Sequence, residues 1–353
     1  MKSAKHIVIL TPGFASDAED FLCIPPLQAF LPRFRELYPD CRVSIIALQY
    51  PFQRGKYVWD GFEVIALGGR NKRSRKWLTW RRARKAFAEL HAVHPVDIIH
   101  SLWMQECAWL GHWLGMAHGV AQVATIMGQD AIASNRYLRR TDLSKMKIVA
   151  ISEPAAAHFA RATGRQADAV IPWGLSLDEV AWLPESKGRS IDLLGVGSLL
   201  PVKKWERFLR VVALLADQHG PVRAVLVGEG PDRAMLEAKV KDLGLEDLVE
   251  FRGLLPRPEV LALMRQSKIL LHTATYEGQG YVFLEALAQG MHVLSGPVGI
   301  ARASSKWKIC PDSITFADAA TEFLETPVDE FPQVPYSIES TVEAMAKLYG
   351  ADS

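Results

Sequence analysis

The sequence predicts a doubly wound α/β architecture in two domains, and three observations carry that prediction. The chain has 353 residues, more than one domain of common size holds. Short apolar, β-rich runs recur along it, separated by stretches with helical periodicity. The charge also changes sign halfway: residues 1–170 hold 23 Lys and Arg against 14 Asp and Glu, and residues 171–353 hold 18 against 25. Hydrophobic residues make up 49% and charged residues 23%, which supplies apolar material for two cores and excludes a disordered, collagen-like or coiled-coil protein.

In the first half, residues 6–11, 42–48, 62–67, 97–101, 122–127 and 147–152 read as strands, most of them continuously apolar as buried parallel strands are. In the second half the strands are 191–197, 222–228, 249–252, 269–273 and 292–295, alternating with helical stretches at 201–219, 232–243, 259–266 and 281–289. Residues 171–190 carry two prolines, two glycines and mixed charge where the balance reverses, which marks the domain boundary. The expected division is a first Rossmann-like domain over 1–172, a linker over 173–190, a second domain over 191–335 and a C-terminal helix over 336–353 that crosses back to the first domain. Two such sheets facing across a cleft place their strand-to-helix turns at the ligand.

Cys23, Cys41, Cys107 and Cys310 stand apart, without zinc or disulfide spacing, which suits a reducing compartment. His91 and His94 have no third ligand nearby, so no metal site is expected. No apolar run reaches the length of a membrane span, and the start of the chain reads as a strand rather than a signal peptide. A cytoplasmic protein, with the inner face of the membrane open to it, is the expectation.

The most informative segment is residues 269–290, ILLHTATYEGQGYVFLEALAQG. An apolar strand ends near Thr273, Tyr276 to Gly280 form a glycine-permissive turn, and a helix opens near Tyr281. Free amides at a helix start, with no side chain at Gly278 or Gly280 to block approach, form a ready anion site. Glu277 stays at the strand end while Glu285 lies roughly 7 Å along the helix from Gly280, so the two carboxylates flank that anion site. An elongated ligand with hydroxyls at both ends and phosphate between them, such as a nucleotide sugar, suits the spacing. On residue types alone, a dipole-balancing Glu277 and a solvated Glu285 are the alternative.

Glu277 and Glu285 with seven residues between them, Gly278, Gly280, Ala286 and Gly290 resemble the signature of the family-4 retaining glycosyltransferases, also called glycosyl transferases group 1. Residues 195–204 (GVGSLLPVKK) are similar to that family's first strand-to-helix turn in the donor domain, and residues 226–231 (LVGEGP) to its second. The first half resembles the family more loosely at residues 11–14 (TPGF), 97–100 (DIIH), 128–130 (GQD) and 171–174 (IPWG).

The resemblance implies the two-domain GT-B fold and a hexosyltransferase that retains configuration while moving sugar from a nucleoside-diphosphate donor to an acceptor hydroxyl of a glycan or lipid-linked acceptor, in bacterial-type glycan or glycolipid synthesis. It implies no cofactor and no metal. Lys203 then pairs with the diphosphate, Glu277 and the backbone from Gly278 through Gln279 and Gly280 to Tyr281 hold sugar and distal phosphate, and Glu285 binds ribose hydroxyls. Gly13, Gly197, Ser198, Lys204, Gly228, Gly230 and Gly253 complete the donor-binding set by the same resemblance, and Asp130 falls on the acceptor side.

Three departures stand out: Ser198 where the family often has Arg, Met127 where a His commonly precedes the Gly-x-Asp motif, and no Gly-Gly-x-x-Glu within 296–305. His100, expected at a strand end, is the candidate replacement for the missing imidazole, with a structural role as its alternative. The departures leave open a catalytically silent nucleotide-sugar-binding protein, and an epimerase is a third reading. Nucleic-acid binding is disfavoured because no recognition motif accompanies the basic half.

Residues 70–85 (RNKRSRKWLTWRRARK) hold nine Lys and Arg and no acid. Trp77, Trp80, Ala83, Phe87 and Leu90 follow helical spacing. Arg75, Lys76, Trp77, Trp80, Arg81 and Arg82 are candidates to face an anionic membrane. A core-packed helix with a solvated basic face is the alternative.

Overall fold

The computed structural model describes residues 4–178, 188–328 and 333–352. The chain divides into two units, Met1–Gly174 with Ile338–Ser353, and Leu175–Ser337.

The first unit is built on a sheet of eight strands: β1 His6–Gly13, β2 Arg42–Tyr50, β3 Gly55–Trp59, β4 Phe62–Ala66, β5 Ile98–Leu102, β6 Ala121–Ile126, β7 Lys147–Ala150 and β8 Ala169–Val170, in the order β3-β4-β2-β1-β5-β6-β7-β8. All neighbours pair in parallel except β3 with β4. Strand β3 of that edge hairpin escapes a search for apolar runs because it is largely exposed. Its turn is nonetheless written in the sequence: Asp60 and Gly61 both adopt positive φ, 44° and 80°, as a tight hairpin turn requires. Helices α1 Pro25–Leu37, α2 Lys76–Val93, α3 Glu106–His118 and α4 Glu153–Thr163 flank the sheet. Val8, Leu10, Ile46, Ile99, Phe87, Leu90, Leu110 and Leu114 form one of its cores.

The second unit is a six-stranded, all-parallel sheet of β9 Ile191–Val196, β10 Ala224–Val227, β11 Val249–Gly253, β12 Ser267–His272, β13 His292–Ser295 and β14 Trp307–Ile309, ordered β11-β10-β9-β12-β13-β14. It carries α5 Trp205–His219, α6 Arg233–Asp242, α7 Arg257–Arg265, α8 Tyr281–Ala288 and α9 Ser313–Glu325. The strand order reverses between β9 and β12, and ligands of open α/β sheets bind at that kind of switch point. The single helix expected over 201–219 is instead a 3₁₀ turn at Pro201–Lys203 followed by α5, with Lys204 left-handed at φ 53° between them. Thr273, just past β12, ties this break to the sheet: its hydroxyl lies 2.9 and 3.0 Å from the carbonyl oxygens of Lys203 and Lys204, and the Lys204 carbonyl also accepts from the Arg207 amide at 2.8 Å.

Helix α10, Ile338–Tyr349, lies in the first unit. Thr341 donates to the Pro172 carbonyl at 2.7 Å and accepts from the Gly174 amide at 2.8 Å. The linker expected over 173–190 is shorter at its start than that reading: Trp173 and Leu175 are buried, and the division falls between Gly174 and Leu175. Residues 179–187 of that linker lie outside the described residues.

Candidate functional site

The polar groups at the second unit's switch point converge because three turns are tied together by backbone. The turn after β9 is bound to the turn after β10 by Gly197 N to Val227 O (3.0 Å) and Leu199 N to Glu229 O (2.9 Å). Gly228 is required where they meet: it sits at φ 141°, and a Cβ there would fall 2.0 Å from the Gly197 carbonyl oxygen. Gly230 lies against the Leu199 carbonyl in the same way, and Gly253, at the end of β11, accepts from the Gly228 amide at 2.8 Å. These glycines therefore shape the turns. Thr275 N to Val202 O (3.0 Å) then joins the turn after β12 to the same structure.

The stitching sets Lys203 beside Glu277, and the two side chains form an ion pair through Nζ and Oε1. The same Oε1 lies 2.8 Å from Nε2 of His272, the last residue of β12. Oε2 of Glu277 has no partner among the described residues and is not buried away from solvent. Burial pushes the Glu277 carboxyl up, but the bond from His272 and the charge of Lys203 outweigh it and hold the group down at about 2. A partly buried, ionised carboxylate is thus held by one oxygen and presents the other.

Gly280 caps α8 at φ 81°, and Gln279 is buried with its carbonyl accepting from the Ile300 amide at 2.9 Å. The segment that lacks the Gly-Gly-x-x-Glu pattern therefore still buttresses this turn. Gly278, Tyr276 and Tyr281 are partly buried around it. Farther along α8, Glu285 accepts from Arg257 Nε of α7 at 2.7 Å. Ser198 and Lys204 are exposed beside the turn, and the Ser198 carbonyl accepts from Trp205 Nε1 at 3.0 Å.

Sequence reasoning brought Lys203, Glu277 and Glu285 to this region but missed His272 and Arg257. His272 stands five residues before Glu277 at the end of an apolar strand, which is a usable signal. Arg257 is 28 residues from Glu285 and no local pattern connects them.

In the first unit two candidates turn out to be structural. His100 is the middle residue of β5 rather than its end, 1% exposed, with Nε2 2.7 Å from Thr125 Oγ1 and Nδ1 2.6 Å from the Tyr349 hydroxyl of α10. Both ring nitrogens are occupied by the protein, and burial holds the ring well below its ordinary value, at about 3. It does not replace the missing imidazole. Asp130, also 1% exposed, accepts from the amides of Met104 (2.6 Å), Gly128 (2.7 Å) and Met127 (3.2 Å), so it organises its loop instead of meeting an acceptor. Gly13 ends β1, packed between Cys23 and Tyr50.

The basic helix α2 also departs from expectation. Trp80 faces inward, donating from Nε1 to Glu106 and meeting Trp109 in a tilted ring contact with centroids 4.5 Å apart, because Trp80 shares the core-facing stripe of Ala83, Phe87 and Leu90. Lys76 bonds the Tyr137 hydroxyl at 2.9 Å and Arg82 the Leu67 carbonyl at 3.1 Å, so both serve the fold. Trp77 leaves the stripe and is 63% exposed, with Arg75 and Arg81 exposed beside it.

The family description "Glycosyl transferases group 1" matches residues 182–308. A 2-deoxystreptamine glucosyltransferase of Streptomyces kanamyceticus is 32% identical over 144 residues, 41% of this chain and 36% of that protein. The gpi3 subunit of the Schizosaccharomyces pombe phosphatidylinositol N-acetylglucosaminyltransferase is 34% identical over 91 residues, 26% of this chain and 20% of that protein. The chain thus spans about a third or less of these curated relatives. Among solved structures, Anabaena HepE in complex with UDP and glucose superposes with a TM-score of 0.65 at 18% identity, over 98% of this chain and 95% of that one. The fold is therefore that of the two-domain, parallel-sheet glycosyltransferases.

Proposed function

We propose, from the match of residues 182–308 to the glycosyl transferases group 1, that the chain is a retaining hexosyltransferase that takes its sugar from a nucleoside-diphosphate donor and passes it to an acceptor hydroxyl. The observation that carries this reading is the ionised Glu277 at the switch point, held through one oxygen beside Lys203.

In this reading the donor diphosphate lies at the amide-rich start of α8 and draws Lys203 away from Glu277. Lysine is a compact cation with three donors, suited to the charge that develops on a departing diphosphate. Glu277 Oε2 accepts from donor-sugar hydroxyls, and Glu285, steadied by Arg257, accepts from the ribose. The acceptor hydroxyl approaches the face the diphosphate leaves, so configuration is retained without an enzymic nucleophile. Lysine and amides supply the leaving-group stabilisation, and transfer is expected to persist in EDTA.

Two acceptor classes suit a group 1 transferase, since the relatives above are named for a soluble aminocyclitol and for phosphatidylinositol. We favour a glycan or lipid-linked acceptor reached from the cytoplasmic face of a membrane, because Trp77 and Arg81, four residues apart on α2, are both exposed, as is Arg75 just before the helix. No helix among the described residues is long and apolar enough to cross a membrane.

The test is to incubate the protein with uridine, guanosine, adenosine and thymidine diphosphate sugars and analyse products with and without acceptor. Sugar transfer supports the reading. Nucleotide binding without turnover, which the Met127 and Ser198 departures would explain, makes the protein a silent binder, and an isomerised donor makes it an epimerase.

A further inference from the structure

One oxygen of Glu277 receives two donors from two different elements: Lys203 from the 3₁₀ turn after β9, and His272 from the end of β12. In the reaction proposed above one of them has to leave, because Lys203 is needed at the diphosphate. His272 has nowhere to go. It is 1% exposed, lies in the sheet with its backbone in register with Ser295 of β13, and its ring stands edge-on to Phe283 of α8 at 4.7 Å and 77°.

The other ring nitrogen makes the assignment specific. Nδ1 of His272 is buried with no hydrogen-bond partner among the described residues. A proton on Nδ1 would leave a buried donor unpaired and set the Nε2 lone pair against a carboxylate, two costs at one ring. With the proton on Nε2 the ring donates to Glu277, and only a weak acceptor is left unpaired. Lys203 and Glu277 are the charged groups that meet this cluster, and Phe283 presents only its apolar edge. The bond from His272 stands with the Lys203 charge in keeping the carboxyl low against burial.

We propose that His272 is a positioning residue for Glu277: it holds Oε1 when Lys203 turns to the diphosphate, so that Oε2 stays aimed at the donor sugar through the transfer. The inference rests on the transferase reading and adds to it a division of roles, with Lys203 as the mobile partner of Glu277 and His272 as the fixed one.

The experiment compares wild type with His272→Leu, which fills similar space without a donor, and His272→Gln, which restores an N–H at similar reach. His272→Leu lowers kcat by about tenfold or more while donor KM and nucleoside diphosphate affinity stay within about twofold, and His272→Gln recovers most of the loss. The acid limb of kcat moves to higher pH in His272→Leu, since Glu277 loses one of the bonds that keep it ionised. Long-range ¹⁵N–¹H spectra of the unliganded protein place the proton of His272 on Nε2. The role is overturned if His272→Leu keeps wild-type kcat, if the Leu and Gln variants lose activity equally with an unmoved acid limb, or if the proton is on Nδ1. Absence of transfer by the wild type would instead overturn the transferase reading, and this role with it.

Discussion

The two units have the same kind of sheet and use their switch points differently. In the second unit the reversal between β9 and β12 carries Lys203 and Glu277, a paired cation and carboxylate with one oxygen left outward. In the first unit the reversal lies between β1 and β5, where the residue that follows β1, Phe14, is buried and the residue that follows β5, Trp103, is a partly buried indole. Its polar residues are spent internally, His100 on Thr125 and Tyr349, Asp130 on backbone amides. Equivalent topology therefore says where a ligand can bind, and hydrogen-bond saturation says which of the two positions keeps free valence for one.

The largest expected effect separates the two positions by function. Lys203→Ala lowers turnover by about 10²–10³-fold, the scale of losing a preorganised group that meets developing charge. Tyr349→Phe, which strips His100 of a partner in the first unit, leaves kcat unchanged and costs about 1–3 kcal/mol of stability, the penalty of a buried unpaired polar atom. Steady-state kinetics and urea unfolding on both variants check this. Loss of turnover in Tyr349→Phe with unchanged stability would return His100 to the site.

A second variant probes how the turns are held. Gly228→Ala places a Cβ against the Gly197 carbonyl at a positive φ, and is expected to cost about 1–3 kcal/mol and to weaken donor binding together with stability. Alanine tolerated there without change would mean that the two turns are not locked to each other.

Acid titration sharpens the same contrast. The folded values of both groups lie below their unfolded ones, so each contributes stability at high pH that is lost as pH falls. For His100 the loss runs from about 6.5 to 3, because the unfolded ring takes up a proton that the buried one refuses. For Glu277 it runs from about 4.5 to 2, because the unfolded carboxyl protonates first. The urea midpoint against pH should flatten above pH 4.5 in His100→Gln and below it in Glu277→Gln. Identical acid arms in wild type and both variants would contradict these assignments.

The smallest effect concerns α2. Binding to anionic vesicles is expected to be salt-sensitive and to fall when Trp77, Arg75 and Arg81 are replaced by Ser, Gln and Gln, at about 1 kcal/mol per basic residue. Cosedimentation at low salt checks it, and no binding by the wild type would favour a soluble acceptor.

Much of this was legible in the sequence where the signal is local. The parallel strands are continuous apolar runs, and Lys203, Glu277 and Glu285 sit in ordered turn motifs. What escaped depends on distant partners. His100 and Asp130 have the residue types of a site, and only the fold shows Tyr349, 249 residues away, and the Met104 amide taking their valence. Trp80 and Trp77 lie three residues apart in one basic stretch, and the neighbouring helix α3, through Glu106 and Trp109, decides that one turns in. Arg257 reaches Glu285 only once α7 and α8 lie side by side.

Isothermal titration decides whether the second unit's switch point holds a nucleoside diphosphate between Lys203 and Glu285. Wild type, Lys203→Ala and Glu285→Ala are titrated with uridine, guanosine, adenosine and thymidine diphosphates. The wild type is expected to bind at least one of them, and each variant to bind it more weakly by about 1.5–3 kcal/mol, roughly 10–100-fold, as follows from the loss of charge-assisted hydrogen bonds. A wild type that binds none of the four, or variants that bind as tightly as it does, would show that the diphosphate does not lie between these two residues.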